Sequence, residues 1–153
     1  MSDALTVLQD QSFARANAAT ASSYPPDRRL SGVQLAEYLD RRVFAVIGSS
    51  RPDGRPHAAM SSYVRRGTTV WLPTGAGSAR ERNVRGQPWL TVTVTEGDRD
   101  AHIVVLLEGP ARVIPAAEVP ADVRAAVTGD WIASWIQVVA ERLLSYASEG
   151  ALP

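Results

Sequence analysis

A strictly alternating segment near the middle of the chain places the tightest constraint on its fold. In Trp89–Thr95, the aliphatic residues Leu90, Val92 and Val94 occupy every second position, and threonines fill the positions between them. Successive side chains of a β-strand point to opposite faces, so this pattern is typical of a strand with one buried face and one more polar face. The fold must therefore contain a sheet whose apolar face is covered by the rest of the chain.

Short apolar runs bounded by turn residues predict further strands in an antiparallel meander. Val43–Gly48 is continuous and apolar, which suits a strand buried on both faces. Pro52–Gly54 and Arg65–Gly67 predict tight turns, and two hairpins in succession indicate antiparallel pairing. Six strands are expected, at residues 43–48, 56–64, 68–72, 89–95, 102–114 and 135–139.

The last of these strands competes with a helix, because the length and apolar content of Asp130–Ser145 permit either structure. Aromatic and β-branched residues dominate Trp135–Val139, which favours a strand there. Inside the fifth strand, Gly109–Pro110 indicates a bulge or a kink. We therefore predict a mainly β fold in which six antiparallel strands close into a barrel without an open edge.

Three short helices are expected between the strands. Ser31–Gln34 and Ser78–Glu81 have the spacing of capping boxes, which mark the start of a helix. The first helix should end near Arg42, and the second is limited to about two turns because Pro88 cannot continue it. A third helix is expected at residues 120–127.

The 153 residues suit a single domain preceded by an N-terminal arm. Residues 1–30 are rich in Ala, Ser, Thr and Asn, and we expect a partly ordered arm with a short helix near residues 5–16. Residues 31–153 are expected to form the barrel domain.

Composition excludes several classes of function. The net charge of zero argues against general nucleic-acid binding, which requires a basic surplus. There is no cysteine for a disulfide framework, no apolar run long enough to span a membrane, and no N-terminal pattern of a secretory signal, so a cytoplasmic protein is expected. All 16 basic residues are arginine, so any anion site must use guanidinium groups, which bind phosphate and carboxylate in a bidentate manner.

Arg80 offers the best physical indication of a binding site. It falls in the first turn of the helix that Ser78 caps, where the helix dipole disfavours a cation but attracts an anion. Together with Arg82 and Arg85, it could hold a phosphate. The alternative is a solvated arginine face on a short exposed helix.

Neither a metal site nor a self-sufficient catalytic apparatus is evident. His57 and His102 fall on different predicted strands, and no further ligands occur at metal-binding spacing. No nucleophile elbow or Walker loop is present. If the protein is an enzyme, a bound cofactor should supply the chemistry.

Five features in order resemble the pyridoxamine 5′-phosphate oxidase-like family of flavin-binding split β-barrels, over about residues 33–147. They are Phe44–Gly48, Asp53–His57, Ser78–Arg85 followed by Pro88, Leu107–Val113 and Glu141–Tyr146.

This resemblance implies a six-stranded split barrel of the FMN-binding type that forms a homodimer, with two cofactor sites at the subunit interface. It implies that Arg80 contacts the cofactor phosphate, with Thr74 and Ser78 nearby, and that Asn83 faces the cofactor as in the deazaflavin-using branch. Arg82, from the same arginine cluster, is a further candidate for cofactor binding. The ring of FMN or coenzyme F-420 would then lie along the strand that carries Pro56, His57, Ala58 and Ser61.

The chain also departs from the family pattern. Arg80 stands where lysine is usual, Ala140 where proline is usual before the Glu-Arg pair, and the arginine-rich tail of true pyridoxamine 5′-phosphate oxidases is lacking. Vitamin B6 oxidation is therefore not expected. The leading hypothesis is an FMN- or F-420-dependent oxidoreductase acting on a small organic substrate. The alternatives are a non-catalytic protein that carries, stores or senses a flavin, deazaflavin or haem, and a barrel that has lost its ligand.

Overall fold

A computed structural model describes residues 2–151 as five α-helices, two single-turn 3-10 helices and eight strands. The helices are α1 (Ser2–Arg15), α2 (Ala18–Ser23), α3 (Gly32–Arg41), α4 (Ala79–Gly86) and α5 (Ala121–Ala126). The strands are β1 (Phe44–Ser50), β2 (Pro56–Ser62), β3 (Val64–Arg66), β4 (Thr69–Thr74), β5 (Trp89–Gly97), β6 (His102–Ile114), β7 (Ser134–Val139) and β8 (Arg142–Ala147). Within the described residues, no helix is long and apolar enough to cross a membrane.

All strand pairs are antiparallel, and the predicted mainly β split barrel is confirmed. The strand count is eight rather than six for two reasons. The expected strand at residues 56–64 changes partner at Tyr63, so that β2 pairs with β1 and β3 pairs with β4. The chain also turns back after β7, and Arg142–Ala147 adds β8 alongside β6.

The hydrogen-bonded order of the strands is β2-β1-β5-β6-β7-β4-β3, with β8 as a second partner of β6. The prediction of a barrel without an open edge is therefore wrong, since this order begins at β2 and ends at β3 without pairing them. β2 approaches β4 across the gap. The sheet is curled and remains split at this line.

Gly109 marks the position at which β6 passes from one half of the sheet to the other. β6 pairs with β8 as far as Glu108 and with β7 from Ala111 onward. A Cβ atom on Gly109 would lie only 2.0 Å from the carbonyl oxygen of Val139. Only glycine allows the backbones to approach this closely, which gives the predicted irregularity at Gly109–Pro110 a physical reason.

The alternation in β5 correctly identifies the core, because Leu90, Val92 and Val94 are completely buried. The prediction that β1 is buried on both faces is wrong. Ala45 and Ile47 are buried, whereas Phe44 and Val46 are 53% and 44% exposed. Their side chains point to the outer face of the sheet, which residues 2–151 leave uncovered at this place.

The N-terminal segment is folded over more of its length than the predicted short helix. α1 begins at Ser2 and places Leu5 and Leu8 in the core. Its buried polar groups cover the edge of β8 that no strand pairs: Ser12 Oγ accepts a 2.9 Å hydrogen bond from the Leu143 amide, and Gln9 contacts Ser145 Oγ. The apolar and polar residues of one helix face thus complete the barrel at this edge.

The three predicted helices are confirmed as α3, α4 and α5. At α3 the capping box is complete, because Ser31 Oγ accepts from the Gln34 amide and the Gln34 side chain accepts from the Ser31 amide. α5 starts after Pro120 and ends at Ala126, one residue before its predicted end.

Candidate functional site

Helix α4 starts beside the ends of β4 and β7 and carries most of the candidate site. Ser78 is its N-cap, and the hydroxyl accepts a 3.1 Å hydrogen bond from the Glu81 amide. The Glu81 carboxylate oxygens accept from Arg85 and from Ser134 Oγ, at 2.9 and 3.1 Å, instead of completing a capping box. These contacts fix the helix start against β7.

Two cavities with shared walls separate α4 from the turn between β1 and β2. They measure about 480 and 400 Å³, each within the range of about 300–1,000 Å³ typical of small-molecule pockets. Both are lined by Arg51, Pro52, Arg82 and Asn83. The smaller cavity also reaches His57. The helix face that carries Arg82 and Asn83 therefore forms one wall, and the β1–β2 turn forms the other.

Asn83 is buried where this wall meets the sheet. Its side-chain Nδ2 donates a 3.0 Å hydrogen bond to Ser49 Oγ on β1, and both residues are less than 9% exposed. The next residue of the same helix, Val84, packs into the core. The position of α4 relative to β1 is thus set by one polar contact and one apolar contact.

Two buried polar atoms on either side of the β4–α4 loop have no hydrogen-bond partner among residues 2–151. They are Thr74 Oγ1, in a completely buried residue, and Arg80 Nε. Arg80 precedes the core residue Val84 by one helical turn, so its side chain leaves α4 on the inner face. Burial lowers the pKa of Arg80. Buried polar groups without partners are costly, and an anion near the Ser78 cap would satisfy the arginine.

Of the described charged side chains around the two cavities, the acidic one has an ion-pair partner and the two arginines do not. Arg51 and Arg82 form no ion pair or side-chain hydrogen bond with any described residue. Asp53, the acidic residue in the smaller cavity, is bound by Arg55 at 2.8 Å. Since this acid is already paired, the cavities have a net positive lining.

The residues predicted on β2 are divided between two faces of the strand. His57 and Ser61 point inward, and Ser61 is buried, whereas Pro56 and Ala58 are exposed on the outer face. A flat ring lying on one face cannot contact the side chains of both pairs. Of the four residues, the structure places only His57 in a cavity wall.

The nine predicted site residues therefore form three groups. His57, Arg82 and Asn83 line the smaller cavity, and Thr74, Ser78 and Arg80 surround the β4–α4 loop. Arg80 lines neither cavity. Pro56, Ala58 and Ser61 lie elsewhere on β2. Sequence reasoning missed Arg51 and Ser49, for which the only available signal was their position next to the turn at Pro52–Gly54.

The two histidines lie in different surroundings, since His57 lines the smaller cavity and His102 does not. His102 is stacked on Tyr146, with ring centroids 5.7 Å apart, and its Nδ1 lies 2.9 Å from the carbonyl oxygen of Asp98. Within residues 2–151, no group of three or more His, Asp or Glu residues could hold a metal ion.

The outer face of the sheet presents an apolar patch near the site. Phe44, Val46 and Met60 belong to it, and Met60, the most exposed of them at 69%, is paired with Val46 across the β1–β2 ladder. We refer to these three residues as the outer patch. Contiguous exposed apolar residues of this kind often mark an interaction surface.

A comparison with protein families matches residues 31–148 to the family described as pyridoxamine 5′-phosphate oxidase. This region is more than half of the chain and contains all eight strands together with α4. A comparison with curated protein sequences gives no match.

Solved structures with the same fold include proteins with different ligands. A conserved hypothetical protein from Mycobacterium tuberculosis is 22% identical, with a TM-score of 0.67, covering 80% of this chain and 88% of that one. An FAD-binding protein from Mycobacterium smegmatis is 17% identical (TM-score 0.62; 78% and 97% covered). The haem storage protein HutZ from Vibrio cholerae is 13% identical (TM-score 0.63; 74% and 93% covered). At such identities these similarities establish the fold alone.

Proposed function

Because the chain belongs to the pyridoxamine 5′-phosphate oxidase family, we propose that it binds FMN or coenzyme F-420 and transfers a hydride to or from a small organic substrate. The observation that carries this proposal is the pair of buried polar atoms without partners, Arg80 Nε and Thr74 Oγ1, beside the helix start capped by Ser78. A phosphate is the anion that best suits an arginine at a helix N-terminus.

Each group of site residues has a distinct role in this proposal. Arg80, Thr74 and Ser78 bind the phosphate. Asn83, held by Ser49, and His57 line the space for the rest of the cofactor. The flavin or deazaflavin ring supplies the hydride chemistry when it is bound. The chain contributes binding, orientation and the exclusion of water, and none of its residues is assigned as a proton donor.

We further propose that the protein acts as a homodimer through the outer patch. Phe44, Val46 and Met60 lie on the sheet that carries the site, and they are apolar and exposed. A second copy of the chain is the occupant that can cover the same patch on both molecules at once, as a two-fold interface requires. Such a dimer would also cover the cavities more completely than one chain does.

The second candidate is a protein that binds a flavin, deazaflavin or haem without turnover. This candidate is favoured by the lining of the cavities, which offers few acids or bases. The carboxylate of Asp53 is already paired with Arg55, and His57 is the only histidine among the described lining residues. A carrier or sensor needs no acid or base.

The test is to purify the protein, record its absorption spectrum and identify any bound molecule by mass spectrometry. Titration with FMN, coenzyme F-420 and hemin then follows, and turnover is assayed with the cofactor that binds. The proposal expects a flavin or deazaflavin to bind with micromolar or better affinity and to be reduced or oxidised during turnover. Binding of hemin alone, or binding without turnover, would favour the second candidate.

A further inference from the structure

Arg51 and Arg82 line both cavities, Arg51 from the β1–β2 turn and Arg82 from α4. Both side chains are exposed, and neither has a partner among the described residues. Arg51 stands at the end of β1, where the turn is fixed by backbone hydrogen bonds from its amide to the Arg55 carbonyl and from the Gly54 amide to its own carbonyl. Arg82 projects from the opposite wall, on α4. Both backbones are therefore held in place, while both guanidinium groups have no partner.

The acids that could neutralise these arginines are bound elsewhere. Asp53 is held by the Arg55 guanidinium at 2.8 Å, and its other oxygen accepts the Arg55 amide at 3.0 Å. Glu81, one residue before Arg82, is bound by Arg85 and Ser134. Both arginines are exposed, so water and salt partly screen their mutual repulsion, and an anion that enters the shared cavity can pair with both guanidinium groups.

We propose that Arg51 and Arg82 form a second anion subsite, which binds an oxyanion of the ligand other than the phosphate at Arg80. Arg82 follows Arg80 by two positions, and side chains two positions apart leave a helix on different faces. Arg82 lines both cavities, whereas Arg80 lies on the inner face with Val84. A phosphate bound by Arg80 on the inner face would therefore leave the guanidinium group of Arg82 free for a second anion.

This proposal rests on the proposed function and deepens it: the subsite favours ligands that carry a second anionic group over ligands with a single phosphate. The second group is a phosphate or a carboxylate, since a guanidinium binds both in the same bidentate manner. FAD offers a diphosphate, and coenzyme F-420 offers a phosphodiester together with glutamyl carboxylates, whereas FMN has only one phosphate.

The experiment compares wild type with Arg51→Gln, Arg82→Gln and the control Arg124→Gln. Arg124 is exposed on α5, away from both cavities, and its removal changes the net charge by the same amount. Calorimetric titrations use FMN, FAD and coenzyme F-420, and also pyrophosphate and γ-glutamylglutamate as isolated anionic fragments. Circular dichroism confirms that each variant is folded.

Arg51→Gln and Arg82→Gln should each weaken binding of FAD or coenzyme F-420 by about tenfold, while the Arg51 variant binds FMN within about twofold of wild type. If the affinity for pyrophosphate falls in Arg51→Gln and Arg82→Gln, the second group is a phosphate. If the affinity for γ-glutamylglutamate falls in these variants, the second group is a carboxylate. Arg124→Gln should bind every ligand like wild type. The subsite is refuted if Arg51→Gln leaves all affinities unchanged, or if it weakens FMN as much as the larger cofactors.

The two proposals can fail separately. Suppose that wild type binds pyrophosphate or γ-glutamylglutamate but no flavin or deazaflavin. If Arg51→Gln then weakens binding of that fragment, the proposed function is wrong and the anion subsite is supported. If neither the cofactors nor the fragments bind, both are wrong.

Discussion

The side chain of Asn83 donates a hydrogen bond to Ser49 Oγ across 3.0 Å, and this contact joins α4 to the end of β1 at the base of the candidate site. Both residues are buried; Asn83 lines both cavities, and Ser49 precedes Ser50, which lines the larger one. The position of the helix relative to the turn therefore depends on this polar pair together with the core packing of Val84. Any change in this pair should affect stability and ligand binding together.

Replacing Ser49 with alanine should leave the buried amide of Asn83 without its acceptor. We expect the free energy of unfolding to fall by about 1–2 kcal/mol, as is usual for a buried polar group that loses its partner. The measurement is urea unfolding of Ser49→Ala, Asn83→Ala and the double variant. The control is Ser62→Ala, because Ser62 is partly buried on the neighbouring strand β2. If the effects of the two single substitutions simply add, the contact contributes no coupling energy and this view of the site is wrong.

Arg80 should matter more for the ligand than for the fold. Arg80→Met keeps the apolar stem and removes the guanidinium, so FMN affinity should fall by about ten- to a hundredfold. Without ligand, the thermal midpoint should stay the same or rise, because burial of Arg80 Nε without a partner is unfavourable.

Fluorescence titration with FMN and calorimetric melting of the unliganded protein measure the two effects. Arg85→Met is the matched control, since Arg85 is exposed on the same helix and paired with Glu81. If Arg80→Met binds FMN like wild type, Arg80 does not bind the phosphate. If Arg80→Met melts far lower than wild type without ligand, Arg80 has a structural role.

Local sequence patterns predicted the helices and strands well, but they predicted less well which strands pair with each other. The alternation of Leu90, Val92 and Val94 identified a strand and its buried face. The capping residue Ser31 identified the start of α3. Both signals are contained within a few consecutive residues. The change of strand partner at Tyr63 depends on which strands lie beside it, and this is not encoded locally. Hydrophobicity alone likewise could not show that Phe44 faces outward.

The candidate site shows the same division. Ser78 and Arg80 were found because a cap and a helix start lie close together in sequence. Arg51 was missed because its significance depends on Arg82, which approaches from a helix 31 positions along the chain. The pairing of Asp53 with Arg55, which leaves Arg51 free, also requires the folded turn. Unpaired charge is a property of the structure and is not visible in composition.

Gly109 should tolerate no side chain. In Gly109→Ala the new Cβ would lie 2.0 Å from the Val139 carbonyl oxygen, so β6 and β7 must separate. We expect a loss of about 2–4 kcal/mol in the free energy of unfolding, or failure to fold. Gly86→Ala is the control, because a Cβ there meets no atom within 4 Å and alanine favours the helix. Equal stability of the two variants would contradict the described crossing.

A charge in the outer patch should separate the proposed dimer. Met60→Asp places a carboxylate at the most exposed of the three patch residues, and burying it in an interface would be strongly unfavourable. Light scattering at micromolar concentration should give the dimer mass for wild type and the monomer mass, near 16.4 kDa, for the variant. Val33→Asp, which changes a similarly exposed residue on α3, should remain dimeric. A monomeric wild type would refute the dimer directly.

The last prediction concerns acid stability and the ion pairs of Glu96. The Glu96 carboxylate accepts hydrogen bonds from Arg41 and, at 3.1 Å, from Arg42, which joins the end of α3 to β5. The hydrogen bond from Arg41 is the main cause that holds the pKa of Glu96 below its ordinary value of 4.5. A carboxyl whose pKa is lowered by folding stabilises the protein above its unfolded pKa and loses this effect as the pH falls through the folded pKa.

Glu96→Gln should therefore be less stable than wild type at pH 7 by about 0.5–1 kcal/mol, since the pair is only partly shielded from solvent. The difference should persist down to about pH 5 and shrink toward zero below the lowered pKa. Urea unfolding of both proteins across this range measures it. Glu149→Gln is the control, because Glu149 is 89% exposed and its nearest guanidinium nitrogen lies 3.5 Å away. A difference between wild type and Glu96→Gln that is constant with pH would show that the loss comes from packing and not from charge.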